Sequence, residues 1–187
     1  MAALLLTGCG ETKASSAASS AVSSVVSSSE SSSSIVSEKA KIWSAYNTEN
    51  LMEDNAYSLD RAAKLSFDAV KGEKESAQLM ITANEKISSF SFLMGKLSDG
   101  NGHSLLAKNF DIYAEYYVSN EVSNEGDAYM GYYPDALIPM SAYIAKKQNF
   151  IAKGMNQGIW VVANIPSDAV AGSYTGTGTL TLDDTTY

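Results

Sequence analysis

The chain has 187 residues, a net charge of −8 and 45% hydrophobic residues. Its acidic groups are spread thinly and its lysines and arginines form no cluster, which argues against nucleic acid as a partner. A single cysteine excludes an internal disulfide, and a single histidine, His103, leaves little for a His-based metal site or nucleophilic triad.

The amino terminus reads Met1-Ala-Ala-Leu-Leu-Leu-Thr-Gly-Cys9. An apolar residue and two small residues precede Cys9, and Leu6-Thr7-Gly8-Cys9 resembles a bacterial lipobox. That resemblance implies acylation of the Cys9 thiol and cleavage just before it. The apolar run is shorter than an ordinary signal core and lacks a basic start. Residues 1–9 are therefore read as a shortened lipoprotein signal segment. Residues 10–40 are read as a tether, because fourteen of the twenty-three residues from Ser15 to Ser37 are serine. Such a segment offers too little apolar surface to offset the entropy of ordering. A flexible coil of this length spans about 30 Å on average. The expectation is an exported, outward-facing protein joined to the cell membrane through a lipid on Cys9.

Residues 41–187 carry the alternating patterns of strands. Lys64–Val70 opposes Leu65, Phe67 and Ala69 to Ser66 and Asp68. Ser76–Thr82, Ile87–Leu97, Asn109–Val118 and Gly158–Ile165 follow, separated by turn signals such as Asp99-Gly-Asn-Gly102 and Pro166-Ser-Asp168. Ser173–Leu182 is the clearest: serine and threonines on one face, Tyr174, Gly176, Gly178, Leu180 and Leu182 on the other. Its glycines leave room for a large neighbour or mark a bulge. Tyr174 at the strand start resembles a tyrosine corner, a structural role. Ala142–Lys147 reads as a short helical turn. The two prolines of Pro134–Pro139 read as an ordered connection kept out of a central strand. Together these features predict an all-β, antiparallel β-sandwich of Greek-key or jelly-roll type.

Four ordered blocks look like the amino-terminal β-sandwich domain of bacterial glycoside hydrolase family 123 and related lipoproteins. They are Ile42-Trp43-Ser44-Ala45; Gly72-Glu73 with Ser76 and Gln78; Tyr133-Pro134-Asp135-Ala136-Leu137-Ile138-Pro139; and Asn156–Val161 with Ile165-Pro166 and Ala171–Gly176. The resemblance implies a larger (β/α)8 barrel after the sandwich, a unit of about 250 residues. In that family the barrel carries the chemistry, with an Asp-Glu pair assisting the substrate's own acetamido group. No residue here matches that pair. Glu53-Asp54 is in the reverse order, so no catalytic residue is assigned. The expectation is a fragment: an accessory, non-catalytic domain supporting its own C-terminal catalytic barrel. The alternative is an independent cell-surface module that binds glycan or protein.

The residues that motivate contact with a partner are tyrosines interleaved with carboxylates between Asp111 and Asp135. Tyr116, Tyr129, Tyr132, Tyr133 and Asp135 are the candidates for a domain interface or glycan contact, because aromatic faces stack on sugars and suit interfaces. Tyr113 and Tyr117 read as alternating strand residues, with Glu115 among the carboxylates between them. Trp43 and Trp160 read as core. Asp99, Asn101 and Asp111, or Glu125 and Asp127, lack the ligand ladder of a calcium loop. No metal and no cofactor are expected.

Overall fold

A computed structural model describes residues 2–7, 33–120 and 130–187. In chain order the strands are β1 (Ala2–Thr7), β2 (Ile35–Val36), β3 (Ala40–Ala45), β4 (Lys64–Asp68), β5 (Lys74–Ala83), β6 (Phe90–Met94), β7 (Leu97–Ser98), β8 (Ser104–Leu105), β9 (Phe110–Asn120), β10 (Gly131–Pro139), β11 (Asn156–Asn164), β12 (Tyr174–Leu182) and β13 (Thr185–Thr186), with one short helix, α1 (Met140–Ala145), after β10. They form two sheets packed face to face, the predicted sandwich. The first sheet runs β4-β1-β12-β7-β8, with β6 and β13 also on β12. The second runs β10-β9-β11-β5-β3-β2. All pairings in the second sheet are antiparallel.

The inward residues follow from period-2 alternation. Leu65 and Phe67 of β4, Phe90 and Phe92 of β6, and Tyr174, Leu180 and Leu182 of β12 face Ile42 of β3, Leu79 and Ile81 of β5, and Ile159 and Val161 of β11 in one buried cluster. The glycines of β12 serve the close approach that the sequence suggests. A Cβ on Gly178 would stand 2.5 Å from Phe92 Cζ, so Phe92 occupies the space that a side chain would need. The Tyr174 hydroxyl donates to the Val170 carbonyl at 2.7 Å, the expected corner.

The predicted run Ile87–Leu97 divides into β6 and β7 at Gly95-Lys96. Pro134–Pro139, read from its prolines as a connection, belongs instead to β10. The prolines are tolerated because β10 is the edge strand, and the register shifts between Pro134 and Ala136 in a bulge. Ile35 and Val36, within the span read as tether, pair with Ile42 and Lys41. Ala2–Thr7, within the span read as signal segment, pairs antiparallel with β12 and parallel with β4. No described helix is long and apolar enough to cross a membrane.

Candidate functional site

The outer face of the second sheet is not a plain solvent face. The connection from 46 to 63 crosses it and buries a smaller apolar cluster: Trp43, Ala45 and Met80 from the sheet, Leu51 from the connection, with Tyr57 and Leu59 packed against them. Asn156 pins this connection. Its amide nitrogen donates to the carbonyls of Met52, Glu53 and Asn55, and its Oδ1 accepts from Thr82 Oγ1 at 2.8 Å. Thr82 Oγ1 in turn accepts from the Trp43 indole at 3.1 Å. Trp43 is thus core, as read from sequence, but core of this second cluster.

Beyond that cover, toward β9 and β10, lies a cavity of about 190 Å³. Its walls are Gln78 of β5, Trp160 of β11, Glu115 of β9, Pro134 and Leu137 of β10, and Asn47 and Asn50 of the crossing connection. The pairing register builds it. Trp160 stands between Gln78 and Tyr113 across three strands, and Leu137 pairs with Glu115. Trp160 is half-buried on this outer face rather than in the main core, which corrects the core reading.

Glu115 is the unusual residue. It is 2% exposed. Gly158 makes its position possible, because any Cβ there would overlap the Glu115 carboxyl group. Tyr117 places its hydroxyl 3.4 Å from Glu115 Oε2 and accepts from the Gly158 N–H at 3.0 Å. Gln157 donates to the Glu115 carbonyl at 2.8 Å. Burial pushes the Glu115 carboxyl up to about 7, only partly opposed by the Tyr117 hydroxyl. Burial also raises Tyr117 well above the ordinary phenol value, helped by Glu115. Glu53, on the crossing connection, is raised by burial and then by Asp54. The site therefore presents a carboxyl that is half-neutral near neutral pH, beside an indole and a buried amide.

Cys9 and Tyr129 lie outside the described residues. The other four sequence candidates do not converge on this cavity. Tyr116 pairs with Ala136, and Tyr133 with Val118, on one face of the β9–β10 ribbon. Tyr132 pairs with Ser119 on the other, and Asp135 sits at the bulge. Tyr116 is 41% and Tyr132 45% exposed. The sequence named Glu115 and Tyr117 only as parts of a pattern and passed over Gln78 as a ligand. A glycine inside strand β11, the sign of a close approach, was the available signal.

His103 accompanies Asp99 in a tight loop, with Nδ1 and Oδ2 2.7 Å apart. Among the described residues, no group of three or more His, Cys, Asp or Glu side chains is placed to hold a metal ion.

Residues 43–182 match the glycoside hydrolase 123 N-terminal domain. The chain belongs to that domain family. Among solved structures, a family 123 glycoside hydrolase from Clostridium perfringens, studied for glycolipid glycan hydrolysis, is similar at 17% identity with a TM-score of 0.52. The similarity covers 63% of this chain and 20% of that enzyme, and it supports the shared fold. No curated protein matches. The family's span takes in the cavity whole: Asn47, Gln78, Glu115 and Trp160 all lie within it.

Proposed function

We propose that this chain is the accessory, non-catalytic sandwich of a surface-anchored glycoside hydrolase-like lipoprotein, which supports a C-terminal catalytic barrel. The observation that carries the reading is the family match over residues 43–182, nearly the whole sandwich. The lipobox at Leu6–Cys9 and the serine-rich segment after it supply the anchor and the tether, facing outward from the membrane.

The surface suited to a following domain is the β9–β10 ribbon. Tyr116 and Val118 are exposed on one face of this ribbon, and Tyr132 and Leu137 on the other, at the free edge of the second sheet. Apolar and aromatic groups that stay exposed on an edge ribbon suit burial against a neighbour.

Reading the genomic DNA past codon 187 is the test. Barrel-coding sequence in the same or a shifted frame is the expected result, and its absence in every frame would overturn the accessory reading. Labelling with radioactive palmitate tests the anchor. Incorporation that is lost in Cys9→Ser is expected, and no incorporation into the unaltered chain contradicts it.

A further inference from the structure

A strand has two edges, and the pairings of β12 assign both of its own. Gly178–Leu182 pairs with β6 along one edge. β13 pairs with Thr181 and Leu182, which β6 also holds, so β13 lies on the opposite edge. β1 pairs with Gly178 and the residues before it, and β6 holds Gly178 too, so β1 shares the edge of β13. Both run antiparallel to β12, so they lie in line, end to end. The β13 ladder extends to Tyr187, whose N–H donates to the Leu180 carbonyl at 2.8 Å and whose carbonyl accepts from the Leu180 N–H at 3.2 Å. β1 begins opposite Gly178, so Thr179 alone separates the two ladders. A strand continuing β13 would set its second, fourth and sixth residues after Tyr187 opposite Gly178, Gly176 and Tyr174, where Ala2, Leu4 and Leu6 pair.

The direction of β13 is fixed by what surrounds its turn. Asp183, at φ 50°, accepts from the Ser88 and Ser89 N–H groups at 2.8 and 3.0 Å and pairs with Lys39 at 3.0 Å. The Tyr187 hydroxyl donates to Ser37 Oγ at 2.8 Å. Among the described residues, β1 is also the strand that joins β4 to the first sheet. β4 carries Leu65 and Phe67 of the main core, each 1% exposed.

We propose that the residues immediately after Tyr187 in the intact protein continue β13 into the slot between β4 and β12, and that β1 holds their place in this chain. This rests on the reading above, in which processing at Cys9 removes β1 and a further domain follows. The slot specifies its occupant: six extended residues, parallel to β4 and antiparallel to β12. Residues paired across a sheet share a face. The second, fourth and sixth are therefore apolar, level with Leu65, Phe67 and Tyr174 of the core. The third and fifth lie level with Thr177, Thr175 and Ser66 and can be polar. A central strand between two ladders excludes proline. The domain that follows is thus held to the sandwich through a shared sheet.

Urea unfolding of four chains tests this: residues 1–187, residues 9–187, and residues 9–187 carrying either Thr-Val-Thr-Val-Thr-Val or Val-Thr-Val-Thr-Val-Thr after Tyr187. The two extensions have one composition and opposite phase, and a slip of one residue turns every side chain to the other face. The chain from Cys9 is expected to unfold at lower urea than residues 1–187. The first extension should restore the midpoint, and the second should leave it low. Equal midpoints without any extension, no rescue, or equal rescue by both extensions overturns the proposal. The coding sequence past codon 187 is the second measurement, decisive even where the chain from Cys9 fails to fold. Six proline-free codons with apolar residues second, fourth and sixth are expected. Barrel-coding sequence behind a segment that is out of phase or contains proline overturns this proposal alone. Absence of barrel-coding sequence in every frame overturns the accessory reading, whereas the unfolding series still decides whether the slot accepts a continuation of β13.

Discussion

The two sheets differ in where their strands come from. Every strand of the second sheet lies between Ile35 and Asn164, and the family match covers all of it except β2 and the start of β3. The first sheet has as its second strand Ala2–Thr7, which lies far outside the match and ends two residues before Cys9. Ala2–Leu6 pairs with β12, and Ala3–Thr7 with β4. The second sheet is thus self-contained, whereas the first is closed by the segment that a lipobox would remove. Cleavage before Cys9 would leave β4 and β12 with facing unpaired edges, and another strand would have to take the slot in the lipidated form.

The largest expected effect breaks this comparison directly. A chain beginning at Cys9 should lose on the order of 4 kcal/mol against residues 1–187, from two five-residue ladders at about 1 kcal/mol or less per bond after ordering costs. Urea unfolding measures it, and equal midpoints would show that the first sheet closes without β1. In the second sheet, Gly158→Ala should cost about 3 kcal/mol, because the new methyl overlaps the Glu115 carboxyl group. Adding Glu115→Ala should recover more than about 1 kcal/mol of that, a coupling that a double-mutant cycle reads. Tyr174→Phe in the first sheet should cost about 1 kcal/mol through the lost bond to Val170. A thermal melt that leaves the melting temperature unchanged would remove the corner from the account.

The sandwich was legible because its strands alternate in sequence as they do in space. Ser173–Leu182 and Lys64–Val70 carry their burial pattern in their spelling, and the corner needed only Tyr174 after a turn. Strand β10 was hidden by its prolines, which exclude a central position but not an edge one with a bulge. The cavity was hidden for a different reason. Glu115 sits at an outward position of an alternating strand, where a carboxylate ordinarily meets water. The residues that share its cavity come from other parts of the chain: Asn47 and Asn50 on the crossing connection, and Pro134 and Leu137 on β10. Local periodicity reports which face of a sheet a side chain takes, not what later covers that face. The lone glycine at 158 was the local trace of that burial.

The central claim is that the second sheet's outer face holds a carboxyl with no countercharge among the described residues. Glu115 is raised from 4.5 to about 7 in the folded protein by burial. Between those values the folded state binds more proton than the unfolded state, so its contribution to stability is fully present below about pH 4.5. It is lost as pH rises through about 7. Urea unfolding of the unaltered chain and of Glu115→Gln, from pH 4.5 to 8, measures this directly. The unaltered chain should lose about 3 kcal/mol relative to the variant across that range, and parallel stability curves would contradict the claim.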